Sequence, residues 1–179
     1  MRIISGQWRG RKLTAPKGDA TRPTADRTRE TLFSMLTSRL GAFEGLVVAD
    51  LFAGSGALGL EALSRGAASC LFVEQEKTAQ ATIMANIRAL DAQGTSLNKG
   101  SVMSLGPPTQ PYDLILLDPP YDTGAGAVAL DRFLRLGWIS DGTWMAVETG
   151  AKESVEVSGL AIDTERKVGK AKLTLLTLA

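Results

Sequence analysis

The sequence contains no histidine and only one cysteine in 179 residues. Catalytic sites of the Ser-His-Asp and Cys-His types depend on histidine, as do most protein zinc sites, so these classes are excluded. The single thiol, Cys70, cannot form an internal disulfide or a metal cluster, and the apolar run around it predicts a buried side chain. We therefore expect no metal site. Any chemistry must use carboxylates, backbone groups or a cofactor that brings its own reactivity.

Long apolar runs are missing as well. No run approaches the ~20 residues that span a bilayer, and the first residues include no apolar stretch of signal-peptide length. Hydrophobic residues make up 44% of the sequence and charged residues 22%, as is usual for globular proteins. The length suits one domain with a sizeable core. These features predict a cytoplasmic protein without a membrane partner, and we expect a monomer.

The net charge is only +1, but the charge is unevenly placed. Residues 1–45 carry nine Lys or Arg against four Asp or Glu, whereas residues 46–150 carry six against eleven. One interpretation is a solvated charged tail. We favour the other, in which a basic extension on an acidic body contacts a polyanion such as RNA. The chain is therefore divided into an RNA-recognition extension, 1–45, and a catalytic body, 46–179.

The apolar pattern changes from a mixed N-terminal part to a regular alternation of strand and helix periods. The N-terminal part predicts short strands at 2–5 and 12–14, a loop at 15–23 and a helix from Thr24 to Gly41. Predicted strands of the body cover 46–50, 69–74, a weak segment near Leu97, 112–117 and 143–148. Predicted body helices start at 58 and cover 77–90 and 128–136, and a hairpin joins 162–166 to 172–178. The pattern indicates an α/β protein with a Rossmann-like, mostly parallel, doubly wound sheet and a C-terminal antiparallel hairpin.

The stretch DLFAGSGALGLEA, residues 50–62, contains the spacing G-x-G-x-x-G, and the acidic residue Glu74 follows at a suitable distance. Such a turn lets a ligand approach the backbone, while the carboxylate accepts hydrogen bonds from ribose hydroxyls. NAD binding is one interpretation, and a purely structural strand-to-helix turn is another. Asp50, before the turn, would repel a pyrophosphate. Its charge suits a ligand that carries an amine or sulfonium cation.

The stretch LILLDPPYD, residues 114–122, ends a buried strand with an acid, two prolines and a tyrosine. Asp118 and the carbonyl of Pro119 offer two acceptors side by side, which suit an exocyclic amine held by its hydrogens. The amine lone pair then points toward an electrophile. Pro119 and Pro120 stiffen the turn, and Tyr121 offers a face on which a flipped base can stack. The alternative is a tight turn without chemistry.

Motifs in this order resemble the amino-group class I S-adenosylmethionine-dependent methyltransferases. The strings RIISGQWRGRKL, residues 2–13, and RPTADRTRETLFSML, residues 22–36, are more specific. They are similar to the RsmD family, bacterial methyltransferases that act on N2 of a guanine in 16S ribosomal RNA. The resemblance runs over nearly the whole chain and implies S-adenosyl-L-methionine as cofactor. It also implies 16S rRNA as partner, within a small ribosomal subunit or an assembly intermediate.

The resemblance also implies roles for individual residues. The guanine amine would be held by Asp118, Pro119, Pro120 and Tyr121. The methyl donor would be bound by Asp50, Phe52, Ala53, Gly54, Gly56, Glu74, Ser101 and Thr24. Ser101 departs from the family pattern, since many relatives have an acidic residue at this adenine-contacting position.

The predicted RNA contacts are the basic side chains of the extension and the tryptophan among them: Arg2, Trp8, Arg9, Arg11, Lys12, Arg22, Arg27 and Arg29. An aromatic ring beside guanidiniums suits RNA, although Trp8 could equally pack against the body. The nearest alternative function is an adenine-N6 methyltransferase on DNA or RNA, because adenine also presents an amine. Two other classes stay open, an NAD-dependent oxidoreductase and a non-catalytic RNA-binding module.

Overall fold

The computed structural model describes residues 1–16 and 22–179, with the backbone alone for residues 22–24. Seven strands form one sheet: β1 Val47–Leu51, β2 Ser69–Val73, β3 Thr95–Asn98, β4 Leu114–Leu117, β5 Trp144–Gly150, β6 Leu160–Val168 and β7 Ala171–Leu178. The helices are α1 Arg22–Leu40, α2 Ala57–Ser64, α3 Lys77–Leu90 and α4 Ala125–Leu136, and a short 3₁₀ turn covers Val102–Ser104. The strand order is β3-β2-β1-β4-β5-β7-β6.

The first five strands are parallel, and β7 pairs antiparallel with both β5 and β6. All four residues of β4 are buried, as expected for a strand that is covered on both faces of a parallel sheet. The predicted doubly wound sheet with a C-terminal hairpin is confirmed. The strand order reverses between β1 and β4, and open α/β sheets bind their ligands beyond the strand ends at such a point.

Hydrophobic clusters fill the two faces of the sheet. One joins Ile3 and Leu13 of the extension and Phe33 of α1 to Leu60 of α2 and Phe72 of β2. The other covers the opposite face, with Leu130 and Phe133 of α4, Trp138, Leu117 of β4 and Met145 of β5. The extension therefore packs on the body and shares its core.

The extension forms one isolated bridge, Arg2 to Lys12, instead of the two predicted strands. Around this bridge the amides of Ile3 and Leu13 donate to extension carbonyls, whereas other amides are bound by side chains of α2. The Glu61 carboxylate accepts hydrogen bonds from the amides of Ile4 (2.9 Å) and Ser5 (3.1 Å). Apolar alternation in the sequence could not show that these amides are held by a helix.

Two helices begin earlier in the structure than the sequence pattern predicted. Helix α4 begins at Ala125 instead of residue 128, directly after Gly124, which has a φ of 70°. The small residues that follow carry little apolar signal, so the periodicity became visible only at Val128. Helix α1 begins at Arg22, before the predicted start at Thr24. The part of the predicted loop at 17–21 lies outside the described residues, as do the side chains of Arg22, Pro23 and Thr24. Among the described helices, none is long and apolar enough to cross a membrane.

Candidate active site

Two cavities meet at the carboxyl ends of β1, β4 and β5. The larger cavity, about 770 Å³, is walled by α1, the glycine turn and the turn between β6 and β7. The smaller cavity, about 590 Å³, is walled by the ends of β1 and β2 and by the loop after β3. The residues that line both are Pro16, Gly54, Asp118, Tyr121 and Glu148. The site therefore has two chambers, as a reaction between two bound molecules requires.

The glycine turn between β1 and α2 leaves its backbone open to both chambers. Gly54 has a φ of 58°, and a Cβ placed there would meet nothing within 4 Å. Phe52 also has a positive φ, 60°, which is rare for a bulky residue and marks local strain. Gly59 serves packing instead, since a Cβ there would lie 2.5 Å from the Phe72 ring and 2.6 Å from the Cys70 sulfur.

Glu74 lies where a ribose acceptor is expected, in the smaller cavity. One carboxylate oxygen accepts from the Gly54 amide (2.9 Å) and the other from the Glu76 amide (2.9 Å). Each oxygen keeps lone pairs that can accept further hydrogen bonds from hydroxyls. Glu74 thus fixes the glycine turn to the end of β2 and keeps its capacity to bind a ligand.

Asp50, which was predicted to contact the donor, supports the turn from behind and does not line either cavity. Its side chain is buried, and Oδ2 accepts from the Gly59 amide (2.9 Å). Oδ1 has no hydrogen-bond partner among the described residues. Burial raises the pKa of Asp50 to about 8, the Gly59 hydrogen bond acts in the opposite direction, and the charge of Glu74 adds to the rise.

Ser101 lines the smaller cavity together with Phe52. Its hydroxyl accepts from the Met103 amide (3.2 Å) and caps the 3₁₀ turn that follows β3. Ala53 lines the larger cavity beside Gly54. Gly56 is the left-handed residue before α2 and lines neither cavity.

The turn after β4 is held by more than its two prolines. The Glu153 carboxylate accepts from the amides of Asp122 (2.8 Å) and Gly124 (3.1 Å). The Thr123 hydroxyl donates to the Pro120 carbonyl (2.8 Å). Within this turn the Tyr121 side chain is 42% exposed and lines both cavities, so its ring face is available to a base.

Glu148 is a site residue that sequence reasoning missed. The pairing of Leu117 with Val147 places Asp118, directly after β4, beside Glu148 of β5, and both line the two cavities. Desolvation of the Asp118 carboxyl raises its pKa well above the usual range, although the residue as a whole is exposed, and the charges of Glu148 and Asp50 add to the rise. The same low solvation, with the charges of Glu148 and Asp118, raises the pKa of Tyr121. The sequence did offer one signal for Glu148: like Asp118, it is an acid that follows an apolar run.

Arg29, one of the predicted RNA contacts, lies inside the fold and lines the larger cavity. Its side chain is buried, donates to the carbonyl of Arg2 and to Asp26 (3.0 Å), and lies 3.6 Å from Glu61. Charge along the sequence could not distinguish this internal ion pair from a surface cation. The Trp8 ring is partly buried against the core, and its amide donates to the Ser64 hydroxyl (3.1 Å).

Five of the other predicted RNA contacts are exposed: Arg2, Arg9, Arg11, Lys12 and Arg27. Arg2 donates to the Gly10 carbonyl and Arg11 to that of Ala89. The predicted roles of the Arg22 and Thr24 side chains lie outside the described part of the chain.

Comparison with known proteins assigns the chain to a family. The family model described as "Conserved hypothetical protein 95" matches residues 1–177. Ribosomal RNA small subunit methyltransferase D of Escherichia coli (strain K12) is 39% identical over 150 residues, which are 83% of this chain and 74% of that protein. The solved structure of yhhF from Escherichia coli has a TM-score of 0.85 at 31% identity and covers 98% of this chain and 96% of its own. The chain belongs to the RsmD family of methyltransferases. The resemblance found in the N-terminal strings is confirmed.

The fold of this RsmD-family protein extends to distant enzymes. Magnesium protoporphyrin IX methyltransferase from Synechocystis, solved with bound SAM, has a TM-score of 0.70 at 14% identity over 99% of this chain and 88% of its own. At that identity the likeness shows the fold alone, which is the class I methyltransferase fold. Among the described residues, no group of three or more Cys, Asp or Glu could hold a metal ion.

Proposed function

We propose that this protein transfers a methyl group from S-adenosylmethionine to the exocyclic N2 amine of a guanine in 16S ribosomal RNA. The observation that carries the proposal is Asp118, followed by two prolines and an exposed tyrosine, on the boundary between two chambers. The relatives named ribosomal RNA small subunit methyltransferase D support the substrate class.

The smaller cavity fits the methyl donor. Glu74 offers acceptors for ribose hydroxyls, the open backbone at Gly54 admits the ligand, and Phe52 and Ser101 line the same space. The unpartnered Oδ1 of Asp50 lies just behind the turn, where a nearby cation would favour its ionised form. S-Adenosylmethionine supplies, when bound, a methyl group that its sulfonium charge has already activated.

The larger cavity fits the base. Asp118 and the Pro119 carbonyl would accept the two amine hydrogens, and Tyr121 would stack on the ring. Held in this way, the amine directs its lone pair out of the base plane. The ionised Asp118 carboxyl could also take up the amine proton as the methyl group is transferred. The site needs no histidine, because positioning and a proton acceptor are sufficient.

The exposed basic side chains of the extension are proposed to bind RNA phosphates. Lys170, in the turn between β6 and β7, lines the larger cavity and adds a cation near the base. Guanine N2 lies in the minor groove of a duplex, so the target must be unpaired or flipped to reach Asp118. We propose a guanine whose position is set by the small subunit or by an assembly intermediate.

The test is nucleoside analysis of ribosomal RNA after incubation with labelled S-adenosylmethionine. Unmethylated small-subunit RNA should be offered both free and in subunits, and we expect N2-methylguanosine. The appearance of N6-methyladenosine would assign the protein to the adenine-directed alternative. Binding of NAD without binding of S-adenosylmethionine would favour an oxidoreductase, and donor binding without transfer to any RNA would favour a binding module.

A further inference from the structure

Glu148 lies near the carboxyl end of β5, in a position that the proposed amine chemistry leaves unused. It is partly buried, lines both chambers and lies beside Asp118, which directly follows the neighbouring strand β4. The strand pairing that places these carboxyls together is part of the parallel sheet, so their separation is fixed by the fold. A base whose amine is held by Asp118 can therefore present an adjacent edge atom to Glu148.

The edge atom next to the amine differs between bases. In guanine the neighbour of N2 on the Watson–Crick edge is N1, which carries a hydrogen and donates, whereas N3 on the other side of the amine accepts. In adenine the corresponding N1 beside the N6 amine carries a lone pair and accepts. A carboxylate can only accept hydrogen bonds, so it binds the guanine edge and opposes the adenine edge.

We propose that Glu148 is the specificity-determining residue of the site and accepts a hydrogen bond from N1–H of the target guanine. This inference rests on the proposed guanine-N2 function and deepens it. Asp118 and Glu148 together would read the two neighbouring donors N2–H and N1–H. Carboxylate recognition of this kind should discriminate by roughly ten- to hundredfold against a base that lacks N1–H.

The charges around the pair are consistent with an acceptor at Glu148. The charge of Glu148 contributes to the raised pKa of Asp118, so the two carboxyls interact electrostatically across the site. The neighbouring titratable or charged groups are Asp50 in β1, Tyr121 after β4, Arg29 in α1 and Lys170 between β6 and β7. Both cations line the larger cavity, and because Arg29 is already paired with Asp26 and Glu61, Lys170 is the one that can offset negative charge on the carboxyls.

The experiment uses 2-aminopurine, which has the same amine at C2 as guanine but an N1 with a lone pair and no hydrogen. Small subunits are reconstituted with 16S RNA ligated from segments that carry either guanine or 2-aminopurine at the methylated position. Methyl transfer to each is measured as kcat/KM for the wild type and for Glu148→Gln. The glutamine amide can accept from N1–H or donate to an unprotonated N1, so it should not distinguish the two bases. Glu156→Gln, which removes the same charge from an exposed position beyond β5, is the matched control.

We expect the wild type and Glu156→Gln to prefer guanine by roughly ten- to hundredfold. In Glu148→Gln the preference should fall to within about threefold, while calorimetry shows S-adenosylmethionine binding close to that of the wild type. A merely structural Glu148 would lower both rates together and leave their ratio unchanged, and that result would overturn the inference. If the wild type methylates adenine N6 instead of guanine N2, the proposed function itself fails, and the two failures are therefore distinct.

Discussion

Asp50 and Asp118 lie at the carboxyl ends of adjacent strands, and both have a raised pKa, yet their surroundings differ. Asp50 is enclosed by the core and bound to the Gly59 amide, whereas Asp118 is exposed to the two cavities. The first therefore acts on the backbone of the glycine turn, and the second faces the space where substrates would meet. Burial, which the residue type alone does not reveal, separates these roles.

Replacing Asp118 with Ala should abolish most methyl transfer while donor binding stays close to that of the wild type. The loss of a positioned acceptor should lower kcat on the order of a hundredfold or more. The donor side is intact in this variant because Glu74 and the glycine turn are unchanged. Asp141→Ala, in an exposed turn before β5, is the control. Near-normal turnover of Asp118→Ala would contradict the assigned role.

The raised pKa of Asp50 predicts how the free energy of unfolding of the ligand-free protein depends on pH. Its pKa is about 8 in the folded protein and 3.8 when unperturbed, so between these values the folded state binds one proton more than the unfolded state. The free energy of unfolding should therefore fall as pH rises through this window, by at most about 1.4 kcal/mol per pH unit from this group. Above pH 8 this contribution levels off.

Asp50→Asn should flatten that dependence, as measured by urea unfolding at a series of pH values between 4 and 8. Asp118 also has a raised pKa and contributes in the same direction, so part of the slope should persist. An unchanged slope in Asp50→Asn would mean that Asp50 is already ionised in the folded protein.

At the scale of elements, the glycine turn joins β1 to α2 and forms a wall of both cavities. Gly54→Val should greatly weaken S-adenosylmethionine binding, because the side chain would project into the open space beside the backbone. The positive φ adds strain of about 1 kcal/mol or more. Gly45→Val is the control that separates backbone strain from obstruction of the cavity. Gly45 also has a positive φ, 78°, and a Cβ there would meet nothing within 4 Å, but it lines neither cavity. Calorimetry measures the S-adenosylmethionine affinity of both variants. If Gly54→Val binds the donor as tightly as Gly45→Val, the donor does not bind beside Gly54.

The elements also show what the sequence could and could not predict. The continuous apolar run of β4 and the helical period of α3 are local properties, so both were predicted within a residue or two. Glu148 was missed because an acid near a strand end gains meaning only when the strand order brings β5 beside β4. The internal position of Arg29 was not visible either, because a positive charge in a basic segment does not reveal its buried partner, Glu61.

At the scale of the molecule, the extension and the body share a hydrophobic core, yet their surface charges have opposite signs. Glu61 binds the amides of Ile4 and Ser5, so the exposed cations of the extension have a defined position relative to the cavities. The acidic body should repel phosphates, and RNA affinity is expected to come mainly from these cations. Under the proposed function, this arrangement would separate RNA capture from the two chambers where the amine and the donor would meet.

Neutralising Arg9, Arg11 and Lys12 together should therefore weaken RNA binding and reduce its salt dependence. All three side chains are exposed, and none lines the two cavities. Each lost phosphate contact should reduce the slope of log K against log salt by roughly 0.7 to 0.9. The measurement is binding to small-subunit RNA at several salt concentrations, with calorimetry to show that donor affinity is unchanged. The matched variant neutralises Lys77, Arg88 and Lys99, three cations of the body. If this control loses as much slope as the extension variant, or if the extension variant keeps its full slope, then RNA is not captured by the extension.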